Sequence, residues 1–254
     1  DESGAMCDAW AAKDDRVTVI HQDDLGVSGA RNSGVAAADS EFIVFLDSDD
    51  ALRPGALQAA LTAQRAAPQD FVVWHYTTDE HDPAAVTADA ALRPQAGLAR
   101  LWLDCLLAMP WNKLYRTDLA KQLPFDVQYT LGEDLQFVLD YIALLGQTAP
   151  GFGYRVLNSP LTFYDCSRGG TLSTRYHANY CDIWPKHFAK LNAACHTAGC
   201  PAEDLRPLHR AELQMFAEGV ADIMRRDPSP TKRLRGYKAE AALRSPWLRA
   251  LLER

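Results

Sequence analysis

Three carboxylates close an apolar run in the segment Phe45-Leu46-Asp47-Ser48-Asp49-Asp50. Glu41 to Leu46 is almost continuously apolar and predicts a strand buried on both faces, as in a parallel sheet. In open α/β sheets the C-terminal ends of the strands face the ligand crevice. Alternate residues of an extended segment point the same way, so Asp47 and Asp49 can converge on one ion. All-oxygen ligands suit Mg²⁺ or Mn²⁺, and such an ion can bridge two phosphates and stabilise a departing diphosphate. The competing reading is a solvated turn with Asp50 as a helix cap. Against it, three adjacent carboxylates repel one another unless a cation collects them.

Upstream lies a complementary constellation. Gly26 and Gly29 let the backbone approach a ligand, and a helix capped by Ser28 offers free N–H groups to an anion. Arg31 adds a planar fork of donors for phosphate or a base edge; otherwise it is a solvated surface arginine. Downstream, Glu133 and Asp134 open another helix, where the helix dipole favours their charge. Such a pair either serves as a carboxylate base or is merely a set of first-turn acids.

The elements that must carry these residues alternate between strand and helix, which argues for an α/β sheet. A helix is expected at 5–13, a strand at 16–20, a helix at 28–38 and a strand at 41–46. Next come a helix from Pro54 to Ala66, a strand at 71–76 and an irregular loop at 77–96. Beyond it stand a helix at 97–107, an extended segment at 111–116 and a helix at 133–145. Short strands follow at 154–157 and 161–164. From 174 the pattern is helical, with breaks near Gly199-Pro201 and Asp227-Pro230. At 254 residues, 48% hydrophobic, the chain suits one large domain or one domain with a helical appendage. The expected division is 1–173 for the catalytic domain and 174–254 for a helical C-terminal region.

The net charge is −7, which gives nucleic-acid binding no electrostatic support. None of the six cysteines forms a Cys-x-x-Cys pair, so reduced thiols in a cytoplasmic protein are expected. Cys195, His196 and Cys200 lack the usual zinc spacing. No apolar run approaches membrane-spanning length, and no signal peptide is visible.

Two stretches make the pattern specific: Val19-Ile20-His21-Gln22-Asp23-Asp24-Leu25-Gly26-Val27-Ser28-Gly29-Ala30-Arg31-Asn32-Ser33-Gly34, and then Glu41-Phe42-Ile43-Val44-Phe45-Leu46-Asp47-Ser48-Asp49-Asp50. Together they resemble the family 2 glycosyltransferases, which have the GT-A fold. The resemblance covers roughly residues 1–175, most strongly 16–53 and 109–137. It implies a mostly parallel sheet flanked by helices, and an inverting, metal-dependent transfer of sugar from a nucleotide-sugar, a UDP-sugar first among them. By the same resemblance Asp47 and Asp49 hold Mn²⁺ or Mg²⁺ and the donor. Arg31 lies against the nucleotide beside Gly26, and Asn32 orders the loop. Gly132-Glu133-Asp134 resembles the family's Glu-Asp motif, so Asp134 would deprotonate the acceptor hydroxyl, with Glu133 as neighbour or second candidate.

Trp111-Asn112-Lys113 resembles the segment before that base, with groups suited to stacking on and hydrogen bonding to a sugar; Trp111 reads equally well as core. Phe163 to Arg168 resembles a loop that closes over the diphosphate, with Arg168 on phosphate and Cys166 disturbing the usual spacing. Asp1-Glu2-Ser3-Gly4 resembles the tail of the family's base-gripping motif. On that resemblance the first strands of the sheet are expected to be missing, with unpaired strand edges destabilising the chain.

Residues 231–254 carry seven Lys/Arg against Glu240 and Glu253. Leu234, Tyr237, Ala241, Leu248, Leu251 and Leu252 can share a helical face, interrupted by Pro246. The segment reads first as a docked helix with a solvated basic face. The alternative is peripheral contact with the inner face of a membrane, suited to a glycan or lipid-linked acceptor in cell-envelope polysaccharide synthesis. Two other functions compete. A haloacid-dehalogenase-type phosphatase also places Asp-x-Asp after a buried strand, but it wants Thr or Val where Ala51 stands and leaves Gly26–Gly34 unexplained. A catalytically impaired glycosyltransferase fold used as a binding subunit is the non-enzymatic rival.

Overall fold

The computed structural model describes residues 1–129, 131–167 and 176–234. Its centre is β3, Phe71–Thr77, a run of aromatic and β-branched residues whose first four are buried. Such residues suit a pleated surface covered on both sides. β3 runs parallel to β6, Gly153–Phe163. The other edge of β6 is shared by β4, Ala90–Pro94, and β2, Ala51–Leu52, both antiparallel. On the far side of β3 the chain from Asn112 to Leu114 runs alongside it. Trp74 N donates to Asn112 O at 3.1 Å, and Leu114 N donates to Val72 O at 3.1 Å. This segment continues into β5, Tyr115–Arg116, which pairs antiparallel with β1, Phe42–Ile43. The strand that precedes the acidic run is thereby tied to the sheet.

The period-2 alternation of β3 sorts its side chains to two faces. Val72 and Trp74 pack with Leu157 and Leu161 under α3, Ala56–Ala66, whose Ala56, Ala59, Ala60 and Ala63 form a small-residue stripe. Phe71 and Val73 pack on the opposite face with Leu135, Val138, Leu139 and Leu145 of α6, Glu133–Thr148. Three further helices precede β5 in the chain: α1, Ser3–Ala11; α2, Gly26–Ala37; and α4, Leu98–Leu103. The short α5, Thr117–Ala120, follows β5. Two long helices follow β6: α7, Tyr180–Thr197, and α8, Ala202–Arg226. Gly199, with φ +72°, makes the turn between them. Leu191, Cys195 and Leu208 of this helical pair belong to the same core as α6.

The α/β class and the helical C-terminal region agree with the sequence; several details differ. Residues 16–20 form no strand, because no described strand lies beside them to pair with, and Val17 and Ile20 are exposed. Only Phe42–Ile43 of the expected 41–46 strand is paired, and its partner is antiparallel. The sheet is therefore mixed, with β3–β6 its parallel pair among the named strands. The expected 77–96 loop contains β4. The two short strands at 154–157 and 161–164 are one strand with a register shift, Trp74 pairing with Leu157 and His75 with Pro160. Proline cannot donate to a ladder and is placed at such irregularities. α3 begins after Pro54 rather than at it, with Gly55 in the left-handed region at φ +83°.

Candidate active site

An aromatic box fixes the approach to the acidic run. Phe45 meets Tyr115, Phe125 and Phe137 edge-on at 5.3, 5.3 and 5.7 Å, and Phe125 stacks on Phe137 at 4.0 Å. Two residues beyond Phe45 the chain turns, with Asp50 N donating to Asp47 O at 3.1 Å. Asp50 does not cap α3. Its Oδ1 accepts from Asp165 N at 3.1 Å, and its Oδ2 is buried without a partner. Burial, joined by the charges of Asp47, Asp49 and Asp165, pushes Asp50 up to about 6.

Arg31 lies inside α2 and draws the two acid motifs together. Nη2 donates to Asp47 Oδ1 at 2.9 Å, and Nη1 donates to Asp134 Oδ1. Glu133 Oε1 is 3.7 Å from Nη1. The arginine side chain is only 10% exposed and its guanidinium rests 5.4 Å from the centre of the Phe125 ring. Residues 31, 47 and 133–134, far apart in the chain, thus share one ionic cluster. One guanidinium faces three carboxylates, so the cluster favours a further cation. Burial pushes Asp134 up to about 7; Arg31 opposes the rise, while Glu133 and Asp47 add to it.

The remaining expected residues divide. Gly26 adopts φ +69° and opens α2, with its N–H bonded to Asp24 Oδ1 at 2.9 Å. Ser28 is not the cap; Leu25 holds that position, and Ser28 Oγ donates to Asp126 O at 3.3 Å. Asn32 clamps the Phe125 backbone in both directions. Its Nδ2 donates to Phe125 O at 2.9 Å and its Oδ1 accepts from Phe125 N at 2.7 Å. It orders a loop, with one amide N–H and the carbonyl oxygen engaged by the Phe125 backbone.

Trp111 takes the core alternative, whereas Asn112 and Lys113, expected to face a sugar, are core as well. Trp111 stacks on Tyr164 at 5.3 Å and meets Tyr76 edge-on at 5.2 Å. Asn112 and Lys113 are fully buried. Asn112 Nδ2 donates to Trp74 O at 3.0 Å. Lys113 Nζ donates to Leu106 O at 2.7 Å, to Asn112 Oδ1 at 2.6 Å and to Met109 O. The 105–110 loop turns carbonyls inward, and buried carbonyls need donors. Burial pushes Lys113 well below the usual lysine range. Arg168 and most of the basic C-terminal segment, 235–254, lie outside the described residues.

The sequence profile of glycosyl transferase family 2 matches residues 1–124. Over that span, just under half of the chain, it is similar to glycosyl transferase family 2. The putative glycosyltransferase EpsH of Bacillus subtilis (strain 168) is 31% identical over 136 residues, which is 50% of this chain and 39% of that protein. The succinoglycan biosynthesis protein ExoO of Rhizobium meliloti (strain 1021) is 31% identical over 159 residues, 57% of this chain and 46% of that protein. A crystal structure of S. aureus TarS 1-349 in complex with UDP-GlcNAc matches with a TM-score of 0.57 at 17% identity, covering 87% of this chain and 60% of that one. The chain spans less than half the length of EpsH and of ExoO. The likeness to TarS shows the fold, that of the GT-A glycosyltransferases.

The match of residues 1–124 to the family 2 profile favours the glycosyltransferase reading of Asp47 and Asp49 over the haloacid-dehalogenase one. It also frames the metal question. Among the described residues no three His, Cys, Asp or Glu side chains converge as a ready-made metal site. A site that takes one or two carboxylates from protein and the rest from substrate phosphate and water needs no such triad. Asp47 and Asp49 supply that number, with oxygen ligands suited to a hard cation. The residues present therefore fit Mn²⁺ or Mg²⁺.

Two features of the site left little trace in the sequence. Phe125 braces both Arg31 and Asn32, yet it reads only as another apolar residue. His187, on α7, contacts the turn that carries Glu133 and Asp134. Gly132 was the available signal for that contact, since a glycine before paired acids invites a positive φ.

Proposed function

We propose that this chain is the donor-binding and catalytic part of an inverting glycosyltransferase. It moves a sugar from a UDP-sugar to a hydroxyl of a glycan or lipid-linked acceptor in cell-surface polysaccharide synthesis. The observation that carries the reading is the Arg31 bridge between Asp47 and Asp134, which brings a diphosphate site and a base within one side chain's reach. The TarS structure contains UDP-GlcNAc, and ExoO is named for succinoglycan biosynthesis; both lend support to donor class and pathway.

Asp47 and Asp49 would hold Mn²⁺ or Mg²⁺. When bound, the ion supplies Lewis-acid stabilisation of the diphosphate leaving group. Arg31 turns part of its donor fork to phosphate while holding Asp134 in place. Asp134 takes the proton from the acceptor hydroxyl as that oxygen attacks the anomeric carbon opposite the diphosphate, inverting it. A carboxylate raised to about 7 is suited to proton transfer near neutral pH. Glu133 is the neighbouring carboxylate and second candidate. No described helix is long and apolar enough to cross a membrane.

The test is UDP release from a panel of UDP-sugars with Mn²⁺, with and without acceptor glycans, in wild type and Asp134→Asn. Metal-dependent release with one preferred donor, lost in the variant, supports the reading. Nucleotide binding with no turnover toward any donor favours the impaired binding subunit instead.

A further inference from the structure

α6 carries the paired acids on its first turn but lacks a side-chain cap of its own, since its cap residue is Gly132. The contact that fixes this turn comes from α7. His187 is fully buried. Its Nε2 donates to Leu131 O at 3.0 Å, and its Nδ1 accepts from the Gln136 side-chain amide. A carbonyl only accepts, so the proton must sit on Nε2 and the lone pair on Nδ1. One neutral imidazole therefore binds Leu131, two residues before the acids, and Gln136, two residues after them. Gly132 is what admits the ring. It adopts φ +78°, and a Cβ built on it would lie 2.3 Å from His187 Nε2.

The surroundings keep the ring neutral. Burial, with help from Lys186 and Lys190, lowers its pKa. Tyr129 and Trp184 pack against it at 5.3 and 5.4 Å. Lys190 adds a second tie to the same helix, with Nζ donating to Gln136 O at 3.3 Å and lying 2.7 Å from Asp140 Oδ1.

We propose that His187 is a positioning residue for transfer: from the helical C-terminal region it locks the 131–136 turn so that Asp134 meets both Arg31 and the acceptor hydroxyl. The inference rests on Asp134 being the base. It gives α7 a part in the reaction although α7 contributes no acid or base to the cluster. A base must be held to within a fraction of an ångström, and misplacement by about 1 Å can cost on the order of 100-fold in rate.

The experiment follows UDP release from UDP-hexoses and UDP-N-acetylhexosamines with Mn²⁺, water serving as acceptor, in wild type, His187→Ala, His187→Gln and Asp134→Asn. Glutamine can place an N–H near the Nε2 position and keep the bond to Leu131 O. The expected result is a kcat reduced on the order of 10–100-fold in His187→Ala, unchanged donor KM, and substantial rescue in His187→Gln. A wild-type kcat in His187→Ala, whatever its melting temperature, overturns the inference while Asp134→Asn is inactive. So does a loss confined to donor KM. A wild-type rate in Asp134→Asn sinks the reading of the base itself, and this inference with it. Should no donor turn over in wild type, amide hydrogen exchange decides. Faster exchange at 131–136 in His187→Ala, restored in His187→Gln, supports the lock; unchanged exchange overturns it.

Discussion

Arg31 and Lys113 are two buried basic side chains in one small domain, and their partners separate their roles. Arg31 is bonded to carboxylates from two distant motifs. Carboxylates have other possible partners, such as metal or a proton, so the cluster can rearrange when a ligand arrives. Lys113 is bonded to two backbone carbonyls and the Asn112 side chain, and a loop's carbonyls in the core have nothing else to bind. The first arrangement suits chemistry and the second suits a fold. Charge and burial alone would have classed them together.

The largest effect that would sharpen this contrast comes from the base joined to Arg31. Asp134→Asn should lower turnover by about 10²–10⁴-fold while leaving the nucleotide-induced rise in melting temperature intact. In wild type, kcat/KM should fall as pH drops through about 7, since protonation removes the base; a limb near 4 would contradict the burial-driven shift. Lys113→Met comes next. It leaves buried acceptors unpaired and should cost about 2–4 kcal/mol of stability in urea unfolding, with the folded fraction still binding nucleotide.

Arg31→Ala should show the reverse pattern. UDP–Mn²⁺ affinity, read by calorimetry, should drop roughly 10–100-fold, the value of a charge-assisted bond of about 1.5–3 kcal/mol. Its pH limb should also move upward, because the guanidinium that opposes Asp134's rise is gone. If Arg31→Ala unfolds the chain and Lys113→Met abolishes binding alone, the contrast is inverted. The smallest effect lies in the helical pair. Glu212 is fully buried, with Oε2 unpartnered, and burial pushes it up to about 7. A carboxyl with a raised folded-state pKa favours the fold below its unfolded value and loses that contribution as pH rises through the folded one. Glu212→Gln should therefore gain about 1–2 kcal/mol on wild type at pH 8 and little at pH 5, as chemical unfolding at the two pH values would show.

The sequence carried the acid motifs, Arg31, β3, α6 and the helical C-terminal pair, because local pattern determines each of them. β4 was hidden because its partner, β6, lies some sixty residues onward and its own five residues, Ala90–Pro94, show no alternation of buried and exposed positions. Residues 16–20 carried a strand pattern but have no described neighbour, and a strand exists only in pairs. Asn112 and Lys113 misled because amide and ammonium groups serve a ligand and a buried loop equally well; burial decides, and burial is a tertiary property. His187 gave no signal of its own, since the turn it holds lies more than fifty residues before it.

The central claim is that Asp47, Asp49 and Arg31 form the donor diphosphate site. The most direct measurement is the melting temperature with Mn²⁺ and a panel of nucleoside diphosphates, for wild type and Asp49→Ala. Binding to the folded state raises it by mass action. The account predicts a rise that requires metal, favours UDP and disappears in Asp49→Ala. A rise of equal size in Asp49→Ala, or none with any nucleotide and metal, would contradict it.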